Sequence, residues 1–275
     1  MLSTGQGSQR LVMVLEALIQ LVKEVAATEV MPRFLRVGSN RKEDGSLFTE
    51  ADIAAQNAFE QGLKSIANYP MLGEEMAKCD QVALWHNNPE GLWVVDPIDG
   101  TTNFINGLPH FALSAALMKN GVSQLGVIFN PYTNELYAAE RGQGARMNDT
   151  VLPIKRTLNP LSEAIAGVEV KYLRSGKLAS RMQTLAPCGS QRSMGSSTLD
   201  WCYLASGRYD VYVHGGQKLW DYAAGALIFE EAGGQLATLE GDDFWNGQHV
   251  FSRSAIAALQ PELFTAWLKW IRSNQ

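Results

Sequence analysis

Residues 93–104 read WVVDPIDGTTNF: an apolar, β-branched run, Trp93-Val94-Val95, stops at Asp96, and a second acid, Asp99, follows three residues later across Pro97. Two carboxylates held that close at a strand end repel, and each resists ionising unless a cation lies between them. Hard oxygen donors presented from a turn suit Mg²⁺ or Mn²⁺. Gly100 and Thr101 come next, with backbone N–H groups of the kind that hold phosphate oxygens. Metal ligands on one side and anion-binding amides on the other imply metal-assisted phosphate chemistry. An isolated pair of such acids is more often two Asx-turns in a loop. Here the pair is not isolated. Glu74 and Glu75 follow another apolar stretch, and Trp220-Asp221-Tyr222 places a carboxylate in the first turn of a helix. Thr49-Glu50-Ala51-Asp52 resembles a capping box with Asp in the acidic position. Each has an ordinary structural reading, such as a solvated helix start or an N-cap. Together, acidic clusters at so many element ends indicate one shared metal site.

Bringing these acids together requires helices packed on strands. Residues 11–27 are apolar but interrupted at helical spacing by Glu16, Gln20, Lys23 and Glu24, an amphipathic helix that ends near Pro32. A second helix is expected over 49–66, and a strand over 92–95 delivers the opening motif. Strands over 111–118, 125–129 and 135–139 form an antiparallel meander, with Asn120-Gly121 as a hairpin turn. The second half predicts a strand over 164–170, a helix over 178–185, and a helix opened by Gly195-Ser196 and running to about 205. A strand over 209–213 precedes a helix that starts at Trp220-Asp221 and ends at Gly233-Gly234, where a helix C-terminus favours glycine. A helix over 261–271 closes the chain, with Trp267 and Trp270 on one face for core or subunit packing. A boundary near 148–155 divides the chain into an N-terminal α+β half, 1–150, carrying most of the acids, and a C-terminal α/β half, 151–275, carrying Asp221 and the substrate pocket.

Composition narrows the classes. The 275 residues are 46% hydrophobic and 19% charged with a formal net charge of −5, which offers no basic stripe to nucleic acid or an anionic membrane. Cys79, Cys188 and Cys202 are too sparse and too far apart for a disulfide framework or a zinc site, and fit a reducing cytoplasm. No export signal is evident, and no window reaches the run of about 18 apolar residues that a membrane span needs.

Haloacid-dehalogenase-type phosphatases carry D-x-D-G-T after a strand, the first Asp being the nucleophile. The segment Asp96 to Thr101 has one residue too many, which changes where the second carboxylate points. The chain instead resembles the inositol monophosphatase family of lithium-sensitive, metal-dependent phosphatases. Gly73-Glu74-Glu75, Asp96-Pro97-Ile98-Asp99-Gly100-Thr101-Thr102-Asn103-Phe104 and Trp220-Asp221-Tyr222-Ala223-Ala224-Gly225 carry the resemblance. Thr49-Glu50-Ala51-Asp52, Gly195-Ser196-Ser197 and Glu231-Ala232-Gly233-Gly234 add to it, in order from about Lys42 to Ile256.

That resemblance implies an α+β fold, a layered α-β-α-β-α sandwich, usually a homodimer, that hydrolyses phosphate monoesters by water attack. Position by position it implies that Glu74, Asp96 and the Ile98 carbonyl hold one Mg²⁺ while Asp96, Asp99 and Asp221 hold a second. Glu74 and Glu75 orient water and a weaker third ion, with Mn²⁺ able to substitute. The Gly100 and Thr101 amides bind phosphate, and Asp52 accepts from the Thr101 hydroxyl to orient the attacking water. Thr101 itself is too weak a nucleophile without an adjacent base. Gly195, Ser196, Ser197 and His214 fall in the substrate pocket. Thr102-Asn103-Phe104 favours inositol or sugar phosphates over nucleotides. Members acting on inositol phosphate carry Glu where His214 stands, and a cationic His beside Lys218 would favour a second anionic group. The alternatives are therefore a bisphosphate phosphatase acting on fructose 1,6-bisphosphate or a 3′-phosphonucleotide, and a regulatory protein with RNA-polymerase or ribonucleoprotein partners.

Overall fold

The computed structural model describes residues 4–36, 38–42, 47–155, 159–169, 173, 177–247 and 249–275. The first half comprises α1 (Thr4–Val25), β1 (Ser39–Arg41), β2 (Leu47–Thr49), α2 (Glu50–Ile66), β3 (Met71–Gly73), α3 (Lys78–Asn87), β4 (Leu92–Asp99) and α4 (Thr101–Ile105). A meander follows through β5 (Ala112–Lys119), β6 (Val122–Asn130), β7 (Glu135–Glu140), β8 (Ala145–Met147) and β9 (Thr150–Val151). The second half holds β10 (Ile165–Glu169), α5 (Lys177–Thr184), β11 (Ser190–Arg192), α6 (Ser197–Ser206), β12 (Val211–Gln217), α7 (Leu219–Glu231), β13 (Gln235–Ala237), β14 (Arg253–Ala258) and α8 (Pro261–Asn274).

Two large sheets organise these elements. One has seven strands in the order β3-β4-β5-β6-β7-β8-β9, parallel only between β3 and β4. The other has five in the order β11-β10-β12-β14-β13, with β10 parallel to both neighbours. Period-2 alternation sends successive β4 side chains to opposite faces. Trp93 and Val95 pack with Leu18 and Val22 of α1 and Phe59 and Leu63 of α2. Leu92 and Val94 join the cluster holding Leu204 of α6 and Leu227 and Ile228 of α7. That cluster also holds Tyr212 and Ala257 of the five-stranded sheet, so α6 and α7 are buried between two sheets. The far face of the second sheet, Ala166, Val168, Val213 and Ile256, packs on α5 and α8 through Leu178, Met182 and Trp267. The layers therefore run α-β-α-β-α, as the resemblance implies. Strands covered on both faces read as continuous apolar runs, and α7 is apolar all round for the same reason.

The expected helices and the antiparallel meander are present, with shifted ends. α1 starts earlier and passes through a π-helical segment, Ala26–Val30, before Pro32. β4 does not stop at Val95 but continues through Asp99. β10 ends at Glu169, and Val170, the last residue of the expected strand, lies outside the described residues. Trp267 is fully buried and stacks on Trp270 at 6.0 Å between centroids. No helix among the described residues is long and apolar enough to cross a membrane.

Candidate active site

β4 delivers both acids of its motif to one place because it is not a regular strand. Residues three apart on an unbroken strand point to opposite faces. Against β5, Asp96 stands opposite Ser114 and Asp99 opposite Ala112, so three steps on β4 match two on its neighbour. The bulge, where Pro97 is tolerated without a ladder N–H, turns both carboxylates to the same side. α7 supplies a third from its first turn: Asp221 Oδ2 accepts from the Lys218 N–H at 2.8 Å. Carboxylate oxygens of Asp96, Asp99 and Asp221 all lie within 4.8 Å of one another. Burial, followed by Glu74, Asp99 and Asp221, holds the Asp96 carboxyl well above the usual carboxylate range. Burial and then Asp99 do the same for Asp221, against the Lys218 N–H. A divalent cation would relieve this repulsion, and an all-oxygen donor set fits Mg²⁺ or Mn²⁺.

Asp99 is also tied to the other half of the molecule. Its Oδ2 accepts from Ser196 Oγ at 2.6 Å, Thr198 Oγ1 at 2.7 Å and Thr198 N at 2.7 Å. Three donors from the start of α6 fix the rotation of a carboxylate that arrives on the opposite sheet. Ser196 at the same time caps α6, accepting from Leu199 N at 3.4 Å. It is buried and does not line the cleft, whereas Gly195 and Ser197 do. Thr198 drew no expectation, although its place beside an N-capping serine marks a first-turn hydroxyl.

Asp52 uses its two oxygens differently. Oδ2 closes the capping box of α2, accepting from Thr49 N and Thr49 Oγ1, both at 2.7 Å. Oδ1 lies 3.5 Å from the Thr101 hydroxyl, which also reaches the Ile98 carbonyl at 3.0 Å. Burial outweighs the Thr49 donors and pushes Asp52 up to about 6. Gly100 enters α4 at φ +86°, and a Cβ there would meet the His110 carbonyl at 2.9 Å, so the turn into the first amides of α4 requires glycine. Those amides have no acceptor within the helix.

Glu74 and Glu75 follow β3. They are held by Gln81 and Gln56, which the sequence did not single out, and by Lys42, where the family resemblance places a lysine near the site. Gln81, the one buried residue of α3, donates to the carbonyls of Gly73 at 2.9 Å and Glu74 at 3.1 Å. Gln56 of α2 accepts from Glu75 N at 2.9 Å. Lys42 Nζ sits between the two acids, 2.7 Å from Glu74 and 2.6 Å from Glu75, a cation already drawn to this edge of the cluster. Burial opposes the ammonium charge, but the paired carboxylates raise its pKa above the ordinary lysine value. Glu75 is pushed up to about 7 by burial first and Glu74 second. Asp44, Gly45 and Ser46, which follow Lys42 in the chain, lie outside the described residues.

A cleft of about 620 Å³ opens over these groups, lined among others by Glu74, Asp96, Asp99, Gly100, Thr101 and Asp221. The pocket expectation for His214 needs correction. Its side chain is 1% exposed and absent from the lining. Gly216 N donates to its Nδ1 at 3.0 Å, which leaves the ring proton on Nε2, 3.5 Å from Ser197 Oγ. On β12 His214 shares a sheet face with its register partner, Glu169 of β10, but packs beside the buried Tyr212 ring, 6.3 Å between centroids. Glu169 lines the cleft instead, together with Lys218. An acid ending an apolar strand was the available signal.

The inositol monophosphatase family pattern matches residues 10–275. An inositol-1-monophosphatase of Rhizobium meliloti is 39% identical over 198 residues, 70% of this chain and 72% of that one. A Nus factor SuhB of Pasteurella multocida is 35% identical over 226 residues, 81% of each. The crystal structure of the extragenic suppressor protein suhB from Bartonella henselae superposes with a TM-score of 0.80 at 26% identity, covering 95% of this chain and 99% of that one. With its clustered acids and its five layers, the chain belongs to the inositol monophosphatase family of metal-dependent phosphatases.

Proposed function

We propose that this chain hydrolyses the phosphate monoester of inositol or a related sugar, using two Mg²⁺ and a weaker third per site, with Mn²⁺ able to substitute. The convergence of Asp96, Asp99 and Asp221 in one cleft with Gly100 and Thr101 carries the reading. Glu74, Asp96 and the Ile98 carbonyl would hold one ion, and Asp96, Asp99 and Asp221 the other. When bound, these ions supply positive charge to the phosphoryl oxygens and lower the pKa of a water.

The protein's own groups do the rest. The Gly100 and Thr101 amides hold the phosphate in the orientation for in-line attack. One hydroxyl proton cannot serve two acceptors, so a Thr101 hydroxyl released from the Ile98 carbonyl donates to Asp52 Oδ1, and its lone pairs face the attacking water. Asp52, at about 6, is ionised near neutral pH and accepts that bond. Glu75, anchored by Lys42 and poised at about 7, orients the same water and can take its proton. Gly195 and Ser197 border the leaving group.

The relatives called Nus factor SuhB favour a second reading, regulation through transcription partners. A purely regulatory protein has no need of the complete acidic set, so the phosphatase reading leads; the two roles are compatible. We further propose a cytoplasmic homodimer that acts on small molecules without direct nucleic-acid contact, consistent with a net charge of −5. Phosphate release from a panel of monoesters, with and without Mg²⁺, tests the main reading. Mg²⁺-dependent release from a polyol monophosphate is expected, and silence across the panel would refute it.

A further inference from the structure

The acids lining the cleft divide into two groups. Glu74, Asp96, Asp99 and Asp221 belong to the constellation described above, and Glu169 stands outside it. Glu169 ends β10, which runs parallel to β11 and β12. Ligands of open sheets bind beyond the carboxyl ends of parallel strands, and here that edge gives the cleft Glu169, with Gly195 and Ser197 following β11. Ser193, the first residue after β11, donates its hydroxyl to Glu169 Oε2 at 3.1 Å and orients the carboxylate. His214, the register partner of Glu169 on β12, is 1% exposed and does not line the cleft, whereas Glu169, 9% exposed, does. An ionised carboxylate offers a substrate acceptor oxygens only. It therefore selects O–H donors on the organic part of a phosphate ester and repels a second phosphate or carboxylate placed there.

We infer that Glu169 is a specificity-determining residue of the cleft: its carboxylate accepts a hydrogen bond from a hydroxyl of a polyol or sugar leaving group and disfavours substrates that carry a second anion at that position. This rests on the phosphomonoesterase reading and deepens it by naming singly phosphorylated, polyhydroxylated substrates. It also reverses the preference expected from a cationic His214.

The experiment compares wild type, Glu169→Gln and Glu169→Ala in Mg²⁺ on three substrates: inositol 1-phosphate, fructose 1,6-bisphosphate and p-nitrophenyl phosphate, whose leaving group has no hydroxyl. Wild type that releases phosphate from none of them defeats the phosphomonoesterase reading itself. With an active wild type, the ratio of kcat/KM for inositol 1-phosphate to that for p-nitrophenyl phosphate should fall at least about tenfold in Glu169→Ala, on the scale of one lost hydrogen bond to a charged group. The ratio of bisphosphate to inositol 1-phosphate should rise in both variants. Equal losses on all three substrates would show a merely structural role, and either that result or unchanged ratios would overturn the inference.

Discussion

Replacing Asp96 by Asn separates a metal ligand from an ordinary buried acid, because the two readings predict opposite signs for the metal-free protein. Asp96 is 1% exposed, and oxygens of Asp96, Asp99 and Asp221 lie within 4.8 Å of one another. Keeping two full charges at that separation would cost about 3.5 kcal/mol at an effective dielectric constant of 20. Burial and this repulsion together hold the Asp96 carboxyl well above the usual carboxylate range. The amide removes that repulsion and keeps an oxygen that can accept the Ile98 N–H, now bonded to Asp96 Oδ1 at 3.1 Å. In chelator, Asp96→Asn should therefore be at least as stable as wild type. In Mg²⁺ the order reverses. A hundredfold loss of cation affinity is worth about 2.7 kcal/mol. With an unfolding entropy of about 2.1 cal/mol/K per residue, that corresponds to about 5 °C of lost Mg²⁺-induced stabilisation for a chain of 275 residues. Turnover should fall at least about a hundredfold. Paired thermal scans in EDTA and in saturating Mg²⁺, with phosphate-release kinetics, read all three quantities. An Asn variant that keeps its Mg²⁺ shift, or turns over within tenfold of wild type, would refute the ligand assignment.

Three further outcomes follow from the same geometry. Thr101→Ala should lower kcat by about a hundredfold with little change in KM, since the backbone amide proposed to bind phosphate persists; recovery of phosphothreonine after acid quench of wild type would refute water attack. His214→Glu should leave the substrate ranking unchanged and cost about 3 kcal/mol of stability, because it buries a second carboxylate opposite Glu169; a tenfold shift toward inositol 1-phosphate would show that position 214 reaches the substrate after all. Burial moves Asp52 from 3.8 to about 6 and Glu75 from 4.5 to about 7, so between those limits the folded state binds more protons than the unfolded chain. Stability of the chelated protein should fall as pH rises from about 4 to about 7, and His110, lowered by burial, opposes this as a single group. A melting temperature that climbs steadily over that range in EDTA would contradict the burial of these acids.

The chemistry of the candidate ligands was legible in the sequence because it is a property of residue type and local spacing. Paired acids, a following Gly-Thr and an acid in a helix first turn have the same donor atoms wherever the chain carries them. The layers were legible too: burial on one face or two leaves a periodicity in the residues themselves, as in the apolar run of β4 or the striped α1. α3 left no such trace, since Gln81 is its one buried residue. What only the tertiary structure decided is direction. Asp96 and Asp99 share a side because β4 bulges against β5, and register is a relation between strands. The rotation of Asp99 is set by Ser196 and Thr198, nearly 100 residues away in the chain. Position 214 carries a side chain of suggestive chemistry, yet packing around β12 leaves it 1% exposed, while its register partner Glu169 lines the cleft. A one-residue change of register reverses which face a side chain occupies, and the free energies that select the register belong to contacts across the fold.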